Sequence, residues 1–174
     1  RQHGTICGEA APEGLIQSAQ LSKPRFTPAM KNDVGHDENI TTERLRSVVG
    51  VELAEKLEDI SLQLYAFAAD LTIRRGILLA DTKFEFGFID GELTLIDEVL
   101  PPDSSRFGET SRYQPGQDQP SFDKQFVRDW LLKSGWDKEP PAPELPPEVV
   151  SGTSARYLEA FKRITGASLW YDTL

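Results

Sequence analysis

Cysteine occurs once in this 174-residue chain, at Cys7, so no internal disulfide can form. A single cysteine reads more simply as a small buried hydrophobe than as a nucleophile. There are two histidines, and His36 stands beside Asp37, Glu38 and Asn39 without the ligand spacing of a zinc site. No run approaches the ~18 consecutive apolar residues that a membrane-spanning helix needs. The opening Arg1-Gln2-His3-Gly4 has no signal-peptide pattern, which leads us to expect a cytoplasmic protein. Positive charge is also scarce. Nineteen Lys and Arg against 28 Asp and Glu give a formal charge of −9. Nucleic acid is therefore not an expected partner, and neither is a membrane. An anionic ligand would need a local cluster of Lys and Arg, because the overall field repels it.

What is present suits one domain or one large lobe. Residues 1–41 read as loop and short strand, with Thr5-Ile6-Cys7-Gly8 as a strand end. The spacing predicts a short helix over about Thr42 to Val49, capped by Thr41. A long helix follows Gly50. Leu53, Leu57, Ile60, Leu64, Phe67, Ala68 and Leu71 recur at three- and four-residue steps, which makes one stripe apolar. Arg74 and Arg75 suit its C-terminal dipole, and Gly76 suits its end. This helix reads as scaffold against a phenylalanine-bearing hairpin. Residues 101–121 read as a long polar loop. Ser121 would cap a helix over about Phe122 to Lys133. Pro140 to Pro147 reads as an extended connector, and a last helix is expected from about Thr153 to Ile164, closed by Gly166.

The densest chemistry lies in Asp81-Thr82-Lys83-Phe84-Glu85-Phe86-Gly87 and the returning Leu93 to Leu100. Ile77-Leu78-Leu79-Ala80 reads as a buried strand. After it, a period of two puts Asp81, Lys83, Glu85 and Gly87 on one face and Thr82, Phe84, Phe86 and Phe88 on the other. Asp90-Gly91 is the turn signal. If Glu85 and Asp97 are to share a face, paired residue numbers must have an even sum. A two-residue loop gives an odd sum, so a three-residue loop with Gly91 left-handed in a bulge is expected. Two opposed carboxylates repel unless a cation lies between them. Magnesium takes oxygen ligands and is commonly held by one or two carboxylates plus substrate phosphates. Glu85 and Asp97 fit Mg2+, and Lys83 fits a phosphate. The plain alternative is a surface strand with a Lys–Glu pair.

These residues also carry a resemblance. Leu79 to Arg106, with Asp97-Glu98-Val99-Leu100-Pro101-Pro102-Asp103-Ser104-Ser105-Arg106-Phe107, resembles the SAICAR synthase family of purine biosynthesis. Phe26 to Lys31 leading into His36 to Ile40, Pro120 to Leu131, and Leu145 to Val150 with Arg156-Tyr157 agree, in the family's order. Gly108 stands where the family commonly has Trp. The resemblance implies an α+β fold with a mainly antiparallel sheet, helices on one side and an ATP-grasp-like cleft. It implies ligation of L-aspartate to a carboxyaminoimidazole ribonucleotide with ATP and Mg2+. It also implies that residues 1–174 are the C-terminal substrate- and ATP-binding portion of a longer polypeptide whose N-terminal nucleotide lobe lies upstream.

By the same resemblance, Lys83, Glu85 and Asp97 attend ATP and its metal. Lys31, Asp37, Ser105, Arg106, Lys124 and Gln125 attend the substrates. Asp37 or Asp103 could accept the amine proton, with Lys83 offsetting charge during phosphoryl transfer. Arg112 is a weaker basic candidate in the loop. Two other readings stand beside this one. A small-molecule kinase would share the metal carboxylates and the phosphate lysine but would not need Lys31, Asp37 and Arg106. A non-catalytic module would bind no nucleotide by itself. Oligomeric state is not legible.

Overall fold

The computed structural model describes residues 4–32, 37–119, 122 and 124–169. The architecture is α+β, and among the described residues there are four α-helices and the strand pairing is antiparallel throughout. The strands form four two-stranded ladders. The chain divides into two compact units. One comprises residues up to 66 with 114–118; the other comprises 67–113 with residues from 119 onward.

In the first unit, β1 (Thr5–Ile6) turns through Cys7 and Gly8 into β2 (Glu9–Ala10). Both turn residues have positive φ, 47° and 85°, the geometry of a tight two-residue hairpin. Burial pushes the Cys7 thiol above its ordinary range, which disfavours the thiolate and fits an inert side chain. Strands β3 (Ala29–Met30) and β4 (Glu38–Asn39) pair next. Helix α1 (Thr42–Val49) begins where the Thr41 hydroxyl accepts the Arg44 N–H at 3.0 Å. Ile40, Leu45 and Ala54 form this unit's core, with Phe26, Met30 and Val49 against it.

Helix α2 (Val51–Ile73) ends as Gly76, at φ 73°, donates to the Ile73 carbonyl. Its apolar stripe is half-buried or buried except at Phe67, which is 72% exposed. Phe88 of the hairpin is 62% exposed. The expected covering of the hairpin by this helix is therefore not met at these two side chains.

In the second unit, β5 (Ile77–Asp81) pairs with β8 (Arg106–Glu109). Strand β8 lies inside the segment read from sequence as loop. A single 3-10 turn, Thr110–Arg112, follows it. Ile77, Leu79 and Phe107 are the buried side chains of this ladder, whose alternation drives them inward. Strands β6 (Glu85–Ile89) and β7 (Glu92–Asp97) form the hairpin.

Helix α3 (Gln125–Lys133) starts at Lys124, whose side chain makes no capping bond. This is later than the sequence suggests, and Ser121, the expected cap, lies outside the described residues. Helix α4 (Pro147–Thr165) starts earlier than expected, with proline in its first turn, where the missing N–H costs no bond. Gly166 closes it at φ 75°. Arg75 does not serve its own helix. It donates to the carbonyls of Arg163 and Ile164, at the C-terminal end of α4.

Candidate active site

Two bulges set the geometry. The hairpin loop is two residues long, not three: Ile89 pairs with Glu92, and Asp90 and Gly91 have φ 52° and 83°. Pairs from Ile89–Glu92 to Phe86–Leu95 accordingly have odd sums. The register then shifts, and Glu85 stands opposite Asp97. The extra residue sits at the far end of the ladder, where it re-aims one carboxylate. The expected pairing of Glu85 with Asp97 is met, while the expected loop is not. An Asp-Gly turn satisfies itself as a two-residue loop, so the correction moves into the strand.

The second bulge falls between Leu79 and Asp81 and brings Asp81 opposite Arg106. Without it, Asp81 would follow Leu79 into the core. Arg106 instead grips the Asp81 carboxylate, with Nε at 2.9 Å from Oδ1 and 3.0 Å from Oδ2, and Nη2 also bonded to Oδ2. This bidentate pair holds a largely exposed guanidinium in a fixed plane.

Lys83 lies between two carboxylates. Its ammonium is 2.8 Å from Glu85 and 4.0 Å from Glu98. The Glu85 side chain is 14% exposed. Sequence reasoning gave Glu98 no role. Its φ of 63° breaks the strand alternation, and its N–H donates to Asp97 Oδ1 at 2.8 Å. A positive φ there is not legible in a Glu, so only its adjacency to Asp97 hinted at it. Phe84 and Phe86 lie with ring centroids 6.4 Å apart at 60°, consistent with the aromatic face read from sequence.

The turn from Pro101 to Arg106 is closed by the Pro101 carbonyl, which accepts the N–H groups of Ser104 and Ser105 at 3.1 and 3.0 Å. Asp103 is exposed on it. Ser105 is only 2% exposed, and its hydroxyl lies 2.8 Å from that of Thr82. Its hydroxyl is therefore engaged inside the protein, tying the turn to the start of the hairpin. Lys124 is exposed, and Gln125 donates to Asp129 at 2.8 Å. Gln125 lines a shallow cleft of about 260 Å³ with Glu109, Arg112, Phe122, Phe126 and Arg156. Arg112 pairs with Glu109 at 3.9 Å.

Lys31 and Asp37 belong to the other unit. The β3–β4 register pairs Met30 with Glu38, so Lys31 and Asp37 are the next opposed positions, at the hairpin mouth. Both are exposed. His36 lies outside the described residues.

The donor set of the β6–β7 end is oxygen only. Among the described residues, no group of three or more His, Cys, Asp and Glu is arranged to hold a metal. Two facing carboxylates fit a hard cation that completes its shell with water and substrate oxygens better than a closed protein cage.

Comparison with known proteins decides the family. The model of the SAICAR synthetase family matches residues 2–143. The chain belongs to the SAICAR synthetase family. It is 56% identical over 164 residues to a phosphoribosylaminoimidazole-succinocarboxamide synthase of Methylobacillus flagellatus, covering 93% of this chain and 55% of that protein. A Streptomyces avermitilis relative of the same name is 56% identical over 169 residues, covering 94% and 56%. Among solved structures, the SAICAR-synthase from Saccharomyces cerevisiae complexed with SAICAR superposes with a TM-score of 0.86 at 38% identity, covering 97% of this chain and 55% of that one. A SAICAR synthetase in complex with ADP superposes with a TM-score of 0.63 at 27% identity, covering 86% of this chain and 54% of that one. The chain thus spans about half the length of the relatives it matches. No helix among the described residues is long and apolar enough to cross a membrane.

Proposed function

We propose that the full-length protein carrying this chain is an ATP-dependent carbon–nitrogen ligase. It joins L-aspartate to the carboxylate of a carboxyaminoimidazole ribonucleotide, giving SAICAR, ADP and phosphate in purine biosynthesis in the cytoplasm. Residues 1–174 would be its C-terminal substrate- and ATP-binding portion. The observation that carries this reading is the bulge that sets Glu85 opposite Asp97, with Lys83 alongside.

A carboxylate is a poor electrophile. Phosphoryl transfer from ATP would convert it to an acyl phosphate, and the aspartate amine would then displace phosphate. Such transfer needs positioning and charge neutralisation more than covalent help from protein. Glu85 and Asp97 would hold Mg2+, which supplies charge neutralisation at the phosphates. Lys83 would meet a phosphate oxygen. Arg106, held flat by Asp81, offers two parallel donors to a phosphate or carboxylate. Lys31, Lys124 and Gln125 would serve the ribonucleotide and aspartate, and Ser105, whose hydroxyl is buried against Thr82, would hold the turn that presents Arg106 rather than touch substrate. Asp37 or Asp103 would take the amine proton.

The test is ADP release by the full-length protein, with the ribonucleotide and aspartate omitted in turn, alongside its Glu85→Ala variant. ADP formed only with both substrates and lost in the variant supports the ligase. ADP formed without aspartate points to a kinase instead. No turnover from intact protein discards the ligase and leaves a binding role.

A further inference from the structure

Helix α3 begins at Lys124 without a side-chain capping bond, so the turn that carries Lys124 and Gln125 is not fixed by its own cap. It is held by a phenylalanine on each side. Before it, the Phe122 N–H donates to the Phe107 carbonyl at 2.9 Å, next to Arg106 on β8. The Phe122 ring lies under the Arg163 guanidinium, 5.2 Å from its centroid. After it, the Phe126 ring lies under the Arg156 guanidinium, 3.8 Å from its centroid. Both arginines belong to α4, and their separation of about two helical turns puts them on one face. A glycine in the middle of a helix weakens it, and Gly152 of α4 is explained by the same contact. A Cβ there would meet Phe126 Cε1 at 2.8 Å. Arg156 donates from Nη1 to the Gly152 carbonyl at 2.7 Å, and Arg163 pairs with Glu109 of β8 at 3.1 Å, so neither guanidinium is left to swing.

We propose that Arg156 and Arg163 are positioning residues for the substrate-binding pair Lys124 and Gln125, which they hold through the Phe126 and Phe122 rings. Packing alone does not call for arginine over both rings, since an aliphatic side chain would cover a phenylalanine as well. A planar guanidinium adds an attraction to the ring face and a fixed orientation. An exposed lysine at the start of a short helix serves an anion well only if its backbone keeps its place. The two stacks hold that backbone against β8, the strand that bears Arg106, so that Lys124 and Arg106 keep one separation for one substrate. This role rests on the ligase reading above and gives α4 the setting of ribonucleotide affinity.

The experiment uses the full-length protein and measures kcat, KM for the ribonucleotide, KM for ATP and the melting midpoint. Arg156→Lys and Arg163→Lys keep the charge and lose the planar stack. Each is expected to raise the ribonucleotide KM about fivefold, the size of one such stack, with kcat and KM for ATP unchanged. Phe126→Leu should do the same, and Phe126→Tyr, which keeps the ring, should hold the wild-type value. Lys124→Met should raise the ribonucleotide KM by itself. Adding Arg156→Lys to it should raise KM little further, because the arginine acts through the lysine. Wild-type ribonucleotide KM in both arginine variants, even with lowered melting midpoints, would reduce the stacks to packing and overturn the assignment. So would an Arg156→Lys effect that persists in full in the Lys124→Met background. No turnover by the wild-type protein would overturn the ligase reading, and the assignment with it.

Discussion

Glu85 faces Asp97 across a hairpin whose two-residue turn, by parity alone, would have set them on opposite faces. The bulge near the strand ends restores the pairing. Opposed like charges are unfavourable in a ladder, so this pairing calls for a cation. Lys83 neutralises Glu85 at 2.8 Å, and Glu98 lies 4.0 Å from the same ammonium. Replacing Asp97 by Asn should therefore lower the full-length protein's ADP-forming turnover by about 100-fold or more, the size of losing one preorganised electrostatic contact. Thermal stability should hold or rise slightly, because a repulsion is removed. Unchanged turnover in Asp97→Asn would leave the carboxylate pair without the role given to it.

The Asp81–Arg106 pair yields a second prediction. The Arg106 side chain is 66% exposed and that of Asp81 50%, so the pair adds less than about 1 kcal/mol to stability. Its value is orientation. Asp81→Asn should raise KM for the ribonucleotide several-fold and shift the melting midpoint by only about 2–4 °C or less. Asp81→Glu should partly restore KM. A variant that melts normally and keeps wild-type KM would show that Arg106 needs no help from Asp81.

Much of this was legible in the sequence where the signal is local. Thr41 and Gly50 bound α1 through a hydroxyl cap and a glycine at φ 87°. Gly76 and Gly166 end their helices for the same steric reason. The carboxylates, the lysine and the arginine of the second unit were identifiable by residue type and by resemblance to a family. Their geometry was not. Both acidic partners, Asp81 and Asp97, reach their faces through bulges, and a period-two reading cannot see an inserted residue. Strand β8 was hidden because Arg106-Phe107-Gly108-Glu109 is short and its partner, β5, is distant in sequence. Pro147 closes a proline-rich connector in the sequence, yet proline equally opens a helix, and it is the first residue of α4.

The Thr82–Ser105 contact links the start of the hairpin to the turn bearing Arg106. Ser105 is buried, and its hydroxyl sits 2.8 Å from that of Thr82. Thr82→Val leaves a buried hydroxyl unsatisfied, which costs about 1–3 kcal/mol. Differential scanning calorimetry should show the midpoint fall accordingly. The double variant Thr82→Val with Ser105→Ala should recover part of that loss, since an apolar pair leaves nothing unsatisfied. Additive losses in the double variant would mean the two hydroxyls do not act on each other.

Arg75 gives the last prediction, and it separates two roles a basic residue at a helix end can play. Its guanidinium donates to the carbonyls of Arg163 and Ile164, orphan acceptors at the end of α4. The same helix is tied to β8 by Arg163, 3.1 Å from Glu109, and Glu159, at 2.6 Å from Arg163, is the main reason the Arg163 guanidinium is held even more firmly protonated than usual. Arg75→Ala removes a charge-assisted bond from α4 but takes nothing from the ladder of α2. Native-state amide exchange should therefore quicken in the last turn of α4 and stay unchanged in the last turn of α2. If Arg75 acted instead through the dipole of its own helix, the α2 amides would quicken and those of α4 would not.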